Sequence, residues 1–179
     1  LAALNVNTGK VQELVPGIPE WVSGNHHFGG LNTLHYYYDD GEIVYNFPFM
    51  DSVFTWSPLE KSLKRQRYAS EVIPGILKAY NGDGSMESLV HASSKSDYYT
   101  GMYSVTGTSM QYRFVVSTSV ENEVTYSTYL EVFDESALHF TNKISSMVKT
   151  RGFTVKDSIF LFRESGSEDY LEFAVFSGL

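Results

Sequence analysis

The chain contains no cysteine, which removes disulfides, thiolate metal sites and cysteine nucleophiles from consideration while leaving the compartment open. It also lacks any apolar run near the roughly 20 residues that a membrane-spanning helix requires. Its first ten residues, LAALNVNTGK, have neither an initiator Met nor the charged-then-apolar layout of a signal peptide. The expectation is a mature product or a fragment of something longer. Positive charge is scarce: 13 Lys plus Arg stand against 21 Asp plus Glu, for a formal net charge of −8. Such a field repels phosphate backbones, so nucleic acid is not an expected partner. The one basic cluster, Lys61, Lys64, Arg65 and Arg67, reads as the charged outer face of an edge strand, a device against sheet aggregation. Helical signal is scarce as well. Only EVIPGILKAY at 71–80 hints at a helical turn, and Pro74 with Gly75 makes it a poor helix.

What is abundant is aromatic. Thirteen Tyr and 12 Phe in a chain of 179 residues, with hydrophobic residues at 42%, exclude a disordered tail and favour a pleated, half-buried surface. The length suits one well-buried core and is short for two. Apolar residues alternate, or run in short bursts bounded by Gly, Asp, Asn, Ser or Pro. Strands are expected near 2–6, 11–15, 33–38, 42–48, 52–57, 63–69, 98–105, 109–117, 125–133, 138–144, 152–155, 158–163 and 170–176.

A hairpin pattern recurs. ALNVNTGKVQEL at 3–14, VFTWSPLEKSLK at 53–64 and LEVFDESALHF at 130–140 each place a strand before Asn7, Ser57 or Asp134 and return as a more polar strand, at offsets of 50 and 77 residues. Short side-chain oxygens at those three positions suit tight turns by accepting a backbone N–H two residues on. The Gly- and Ser-rich stretch YNGDGSMESLVHASSKSD, within 71–97, shows no clear period and reads as an elaborated loop that accounts for the longer offset. Without it the spacing is about one copy per 50 residues, the length of a four-stranded propeller blade. A rival phase aligns DSVF at 51–54 with DSIF at 157–160, 106 residues apart, but it would match the third strand of one unit to the second of another. The expected fold is therefore all-β: a β-propeller portion of about three and a half four-stranded blades, with an open β-sandwich as the alternative. Residues 1–15 would close one blade, 31–70 form the next, 97–145 a third and 150–179 the last, all within a single domain or a fragment of one.

LHYYYDDGEIVYNFPFMDSVFTW, YYTGMYSVTGTSMQYRFVV, YLEVFDESALHF, GFTVKDSIFLF and EDYLEFAVFSGL together resemble the C-terminal portion of the six-bladed β-propeller lipoproteins of Bacteroidota, with DUF4221 as the most similar member group. The resemblance covers most of residues 30–179. The sequence departs from the pattern at VTGTS, where the strand before YRF usually ends in an Asp-containing turn. The family has no established catalytic residues to carry over. What the resemblance implies is a place in the cell envelope, at the outer membrane or cell surface, with a lipid anchor upstream; an envelope protein or outer-membrane transporter complex is the partner expected for a module placed there.

Candidate ligand-binding residues fall in three stretches. In SGNHHFGG at 23–30, His26 and His27 lie between glycines; on a strand they would point to opposite faces, so they could share a metal only in an irregular loop, and a solvent-exposed pair is the plainer reading. YYYDDG at 36–41 offers Tyr36, Asp39 and Asp40, and SDYYTG at 96–101 offers Tyr98 and Tyr99. Rings beside carboxylates can stack on sugar faces and bond their hydroxyls, although in alternating strands half of those tyrosines must face the core. NGDGSME at 81–87 spaces Asn81, Asp83 and Ser85 like the start of a calcium loop, but Met86 replaces the needed glycine and Ala92 the bidentate Glu. His35, His91 and His139 are scattered, and Glu168 with Asp169 are adjacent turn carboxylates. No GxSxG elbow, phosphate-cradling glycine loop or Asp-box is present, and no metal or cofactor is expected. The functional expectation is a non-catalytic envelope binding or scaffold module that docks a glycan, a peptide or a transporter subunit. The alternative is a propeller-type glycan hydrolase with acidic residues in a central funnel.

Overall fold

The computed structural model describes residues 2–5, 7–13, 34–75, 77, 85–121, 123–164 and 171–179. The fold is all-β, built from several antiparallel sheets, none closed into a barrel. The first is a hairpin of β1 (Ala2–Asn5) and β2 (Lys10–Glu13). The second has four strands in chain order: β3 (His35–Asp39), β4 (Glu42–Asn46), β5 (Ser52–Ser57) and β6 (Ser62–Arg67). The third contains β7 (Tyr98–Tyr99), β8 (Tyr103–Ser104), β9 (Met110–Val120), β10 (Val124–Asp134) and β11 (Ala137–Ile144). Because β7 and β8 lie end to end along β9, pairing Tyr99 with Val115 and Tyr103 with Tyr112, that sheet is four strands wide. The fourth sheet is β12 (Val148–Val155), β13 (Ser158–Arg163) and β14 (Glu172–Phe176). The recurring hairpin is now placed: β5–β6 and β10–β11 are the last two strands of their sheets. DSVF and DSIF fall on the third strand of one sheet and the second of another.

The turns after β5 and β10 depend less on the Ser57 and Asp134 oxygens than on left-handed backbone. Asp40 and Gly41 have φ of 41° and 83°, and Lys61, Glu135 and Lys156 have 52°, 54° and 51°. Positive φ gives short hairpin loops the twist that matches the flanking strands. Ser57 Oγ does accept a backbone N–H, but from Glu60, three residues on, at 3.4 Å, and Asp134 accepts instead from Ser109 Oγ at 2.7 Å. Gly152 is needed for another reason: it sits where the β12–β13 register shifts, and a Cβ there would run into the Phe160 carbonyl.

One local expectation is corrected. The stretch taken wholly as an elaborated loop contains a helix, α1 (Met86–Ser93), whose first turn is held by Ser85 Oγ accepting the Ser88 N–H at 3.2 Å. Glu87 in the first turn complements the helix dipole. The described part of 71–80 is bend and coil, in keeping with the poor helix expected from Pro74 and Gly75. The carbonyl of Pro74 there is bonded by the Tyr99 hydroxyl at 2.8 Å, not by a helical N–H.

The second, third and fourth sheets pack face to face in chain order. One cluster joins Val44 and Val53 of the four-stranded sheet to Met102 and Phe133 of the next. Another joins Tyr112, Phe114, Leu130 and Val132 of that sheet to Ile159 and Leu161 of β13. Strand β9 is therefore buried on both faces, with Tyr112 and Phe114 on one side and Arg113 and Val115 on the other. A strand covered on two sides needs apolar or fully paired residues throughout, and QYRFVV meets that need only because Arg113 is paired. Its guanidinium bonds Glu131 Oε2 at 2.8 and 2.9 Å and the Tyr68 carbonyl at 2.6 Å. It also lies 4.2 Å from the ring centroid of Tyr99 and 5.0 Å from that of Phe133.

Candidate functional site

The first strands of three successive sheets, β3, β8 in line with β7, and β12, meet at a groove of about 360 Å³ lined by Tyr37, Asp39, Tyr103, Ser104, Tyr112, Phe153 and Thr154. In β3, alternation explains which side chains point in. Tyr37 packs on the cluster shared with the next sheet, and Asp39, two residues on, shares its face. Tyr36 and Tyr38 take the opposite face, 71% and 72% exposed.

Each ring is held from behind. Tyr103 lies over Gly101, where a side chain would meet its phenol end, and packs against its cross-strand partner Tyr112 with ring centroids 5.3 Å apart. Phe153 stacks on Phe160 at 5.2 Å and meets Phe173 edge-on at 5.5 Å, yet remains 43% exposed. Thr154 shares a 2.7 Å hydroxyl contact with Thr106, tying β12 to the loop after β8. Ring-backed aromatics of this kind keep their orientation without a ligand, the condition for binding with little entropy loss.

The groove phenols are protonated at ordinary pH. Burial raises the pKa of Tyr37, with the Asp39 charge adding to the rise and Ser104 opposing it. The Tyr37 hydroxyl is shielded from water and lies beside Ser104 without reaching good hydrogen-bond geometry. Burial likewise raises Tyr103, and pushes Tyr112 up to about 12 with a further contribution from Tyr103. These rings are neutral faces and hydroxyl donors, not bases. Away from the groove, burial brings Tyr68 to about 12 and raises Tyr99 strongly, with Arg113 opposing part of each rise.

A phenol with a folded pKa above its ordinary value of 10.0 binds its proton more tightly when folded. Its contribution to stability is complete below pH 10 and is lost as pH climbs toward 12. Urea unfolding across that interval should show falling stability, and tyrosinate absorbance from these residues should appear only with the unfolding transition.

The candidate residues separate. Asp39 lines the groove and Asp40 begins the adjacent turn. Tyr36 faces away from the groove. Tyr98 pairs with Val116, four residues along β9 from Tyr112, roughly 14 Å at strand rise. Tyr99 is fully buried beneath Arg113, so it is a core residue with no surface for a ligand. His26 and His27 lie outside the described residues, as do Asn81, Asp83, Glu168 and Asp169; Ser85 is a helix cap. No group of three or more His, Cys, Asp or Glu able to hold a metal occurs among the described residues. None of their helices is long and apolar enough to cross a membrane. Tyr37, Tyr103, Tyr112 and Phe153 were missed; the available signal was parity within YYYDDG, which separates Tyr37 and Asp39 from Tyr36.

No protein-family model matches the chain, and no curated protein matches it. Among solved structures it is similar to a member of the DUF4221 family from Bacteroides vulgatus, with a TM-score of 0.65 at 14% sequence identity. The likeness is one of fold. It takes in 99% of this chain and 55% of that one, so the chain spans about half the length of its structural neighbour.

Proposed function

We propose that the chain is part of a six-bladed β-propeller lipoprotein of the cell envelope, displayed at the outer membrane or cell surface. There it acts as a non-catalytic binding or scaffold module for a glycan, a peptide or a transporter partner. Three sheets packed face to face with their first strands converging on one groove support the propeller reading, since consecutive blades are arranged radially about a channel. The DUF4221 neighbour, nearly twice as long, supports the presence of further blades.

The observation that carries the binding role is the groove's lining: four aromatic rings and, among the described residues, one carboxylate, Asp39. Cleavage of a glycosidic bond ordinarily uses two carboxylates flanking it. Pre-set rings and hydroxyls hold a ligand without breaking it.

The test is to present the full-length protein with an oligosaccharide and peptide panel, following both binding and product release. Binding without turnover is expected, weakened several-fold to about tenfold by Tyr103→Ala. Product release that disappears in Asp39→Asn would replace this reading with the hydrolase. Recovery of the tagged protein with outer-membrane proteins checks the envelope placement, and a purely cytosolic distribution would remove it.

A further inference from the structure

We infer that the groove between β3, β8 and β12 recognises an organic cation, an alkylammonium group seated among Tyr37, Tyr103, Tyr112 and Phe153 with Asp39 as its counter-charge. This rests on the reading of the groove as a binding site and names the ligand chemistry within it.

The first reason is the ring set. Four neutral aromatic side chains border a space of about 360 Å³, enough for a small cationic headgroup, and the negative faces of several rings together attract a desolvated cation. All three phenols stay protonated at neutral pH, so the rings attract a cation through their neutral faces and not through a phenolate charge.

The second reason is charge. The turn that closes β3 reads DDGE: Asp39 lines the groove and pairs with Glu42 across the ladder, with Asp40 in the turn between them. The ion pairs among the described residues, Arg67–Asp51, Arg113–Glu131, Lys149–Glu164 and Arg163–Glu172, give none of the three a cationic partner. Like charges directly opposite on neighbouring strands disfavour the hairpin, and an incoming cation relieves that repulsion. With the chain at −8 overall, the long-range field draws cations in and turns anions away. A neutral sugar would use the rings and hydroxyls equally well but would leave the acidic turn without a role.

The decisive probes are choline and its uncharged isostere 3,3-dimethyl-1-butanol, titrated into the full-length protein and followed by NMR shifts of the aromatic side chains. Choline should bind about tenfold more tightly than the isostere, and should lose most of that margin in Asp39→Asn, whose side chain is exposed and changes no packing. Higher salt should weaken choline and spare the isostere. Tyr103→Leu should weaken both probes. A thermal melt of each variant separates lost binding from lost folding. Equal affinity for the two probes, or choline binding that ignores Asp39, would overturn the inference. If a neutral oligosaccharide bound at Tyr103 while choline did not, the binding-module reading would survive and the cation assignment would fall. A lysine-containing peptide run beside free choline tells whether the cation is carried on a chain or arrives as a small molecule.

Discussion

Truncating Glu131 to Ala is expected to destabilise the full-length protein by about 3–5 kcal/mol, the usual consequence of removing one partner from a buried ion pair. The side chain is fully buried, and its two oxygens have different tasks: Oε2 takes both bonds from Arg113, and Oε1 takes the Ser70 hydroxyl at 2.6 Å. Ser70 Oγ in turn receives the Val72 and Ile73 N–H groups at 3.0 and 3.4 Å. Glu131 thus fixes both the guanidinium and the segment that leaves β6. Without it, Arg113 keeps its charge, because no ordinary environment deprotonates a guanidinium, and is left with one carbonyl and two ring faces. Glu131→Gln retains an acceptor and should cost less than Ala. The sharper check is a cycle. Arg113→Met combined with Glu131→Leu removes both charges and should be less damaging than either single change, since much of the cost of breaking such a pair is the stranded partner. Urea midpoints of the four proteins measure this. Strictly additive losses would show that the pair is not the unit.

Much of the fold could be read from the sequence because its signals are local. Period-two alternation, Asp–Gly at 40–41 and the return of a polar strand after VFTWSP each depend on residues a few positions apart. Strand-by-strand reading consequently located the β-elements, including β7 and β8 as one run from 98 to 105, which the structure interrupts at 100–102. It missed α1 because the flanking Gly and Ser residues masked eight residues free of Gly and Pro behind a Ser cap.

The groove could not be read in the same way. Tyr37, Tyr103 and Phe153 come from three sheets, and nothing in their local spacing says that the first strands of those sheets converge. The same limit applies to Tyr98 and Tyr99. Alternation says that one of the two faces the core without saying which; it is Tyr99, enclosed by Arg113 from β9 and by the carbonyls of Ile73 and Pro74. YRF distributes three tasks: Tyr112 to the groove, Arg113 to the buried pair and Phe114 to the core.

The junction of the four-stranded sheet with its neighbour gives the second large effect: Phe133→Ala should cost about 3–5 kcal/mol, the range for an aromatic truncated in a core that cannot collapse. Phe133 is fully buried, stands edge-on to Tyr68 at 5.2 Å, and lies beneath the guanidinium of Arg113. The surroundings that would have to close over the gap are anchored. Tyr68 is held by its N–H to the Asp51 carbonyl at 2.8 Å and by its hydroxyl to Gln111 at 2.5 Å, and Arg113 by its bonds to Glu131 and Tyr68. A site pinned by polar contacts keeps its cavity, so the loss should lie near the upper end of the range. Phe133→Leu, which retains most of the volume, should cost much less. Because Phe133 and Arg113 touch, Phe133→Ala and Arg113→Met should be non-additive by at least about 0.5 kcal/mol. Phe133→Ala with Leu161→Ala on β13, which packs in a different cluster, should add. If the first pair added and the second did not, the stabilising contacts would run through the sheets differently from the face-to-face order seen here.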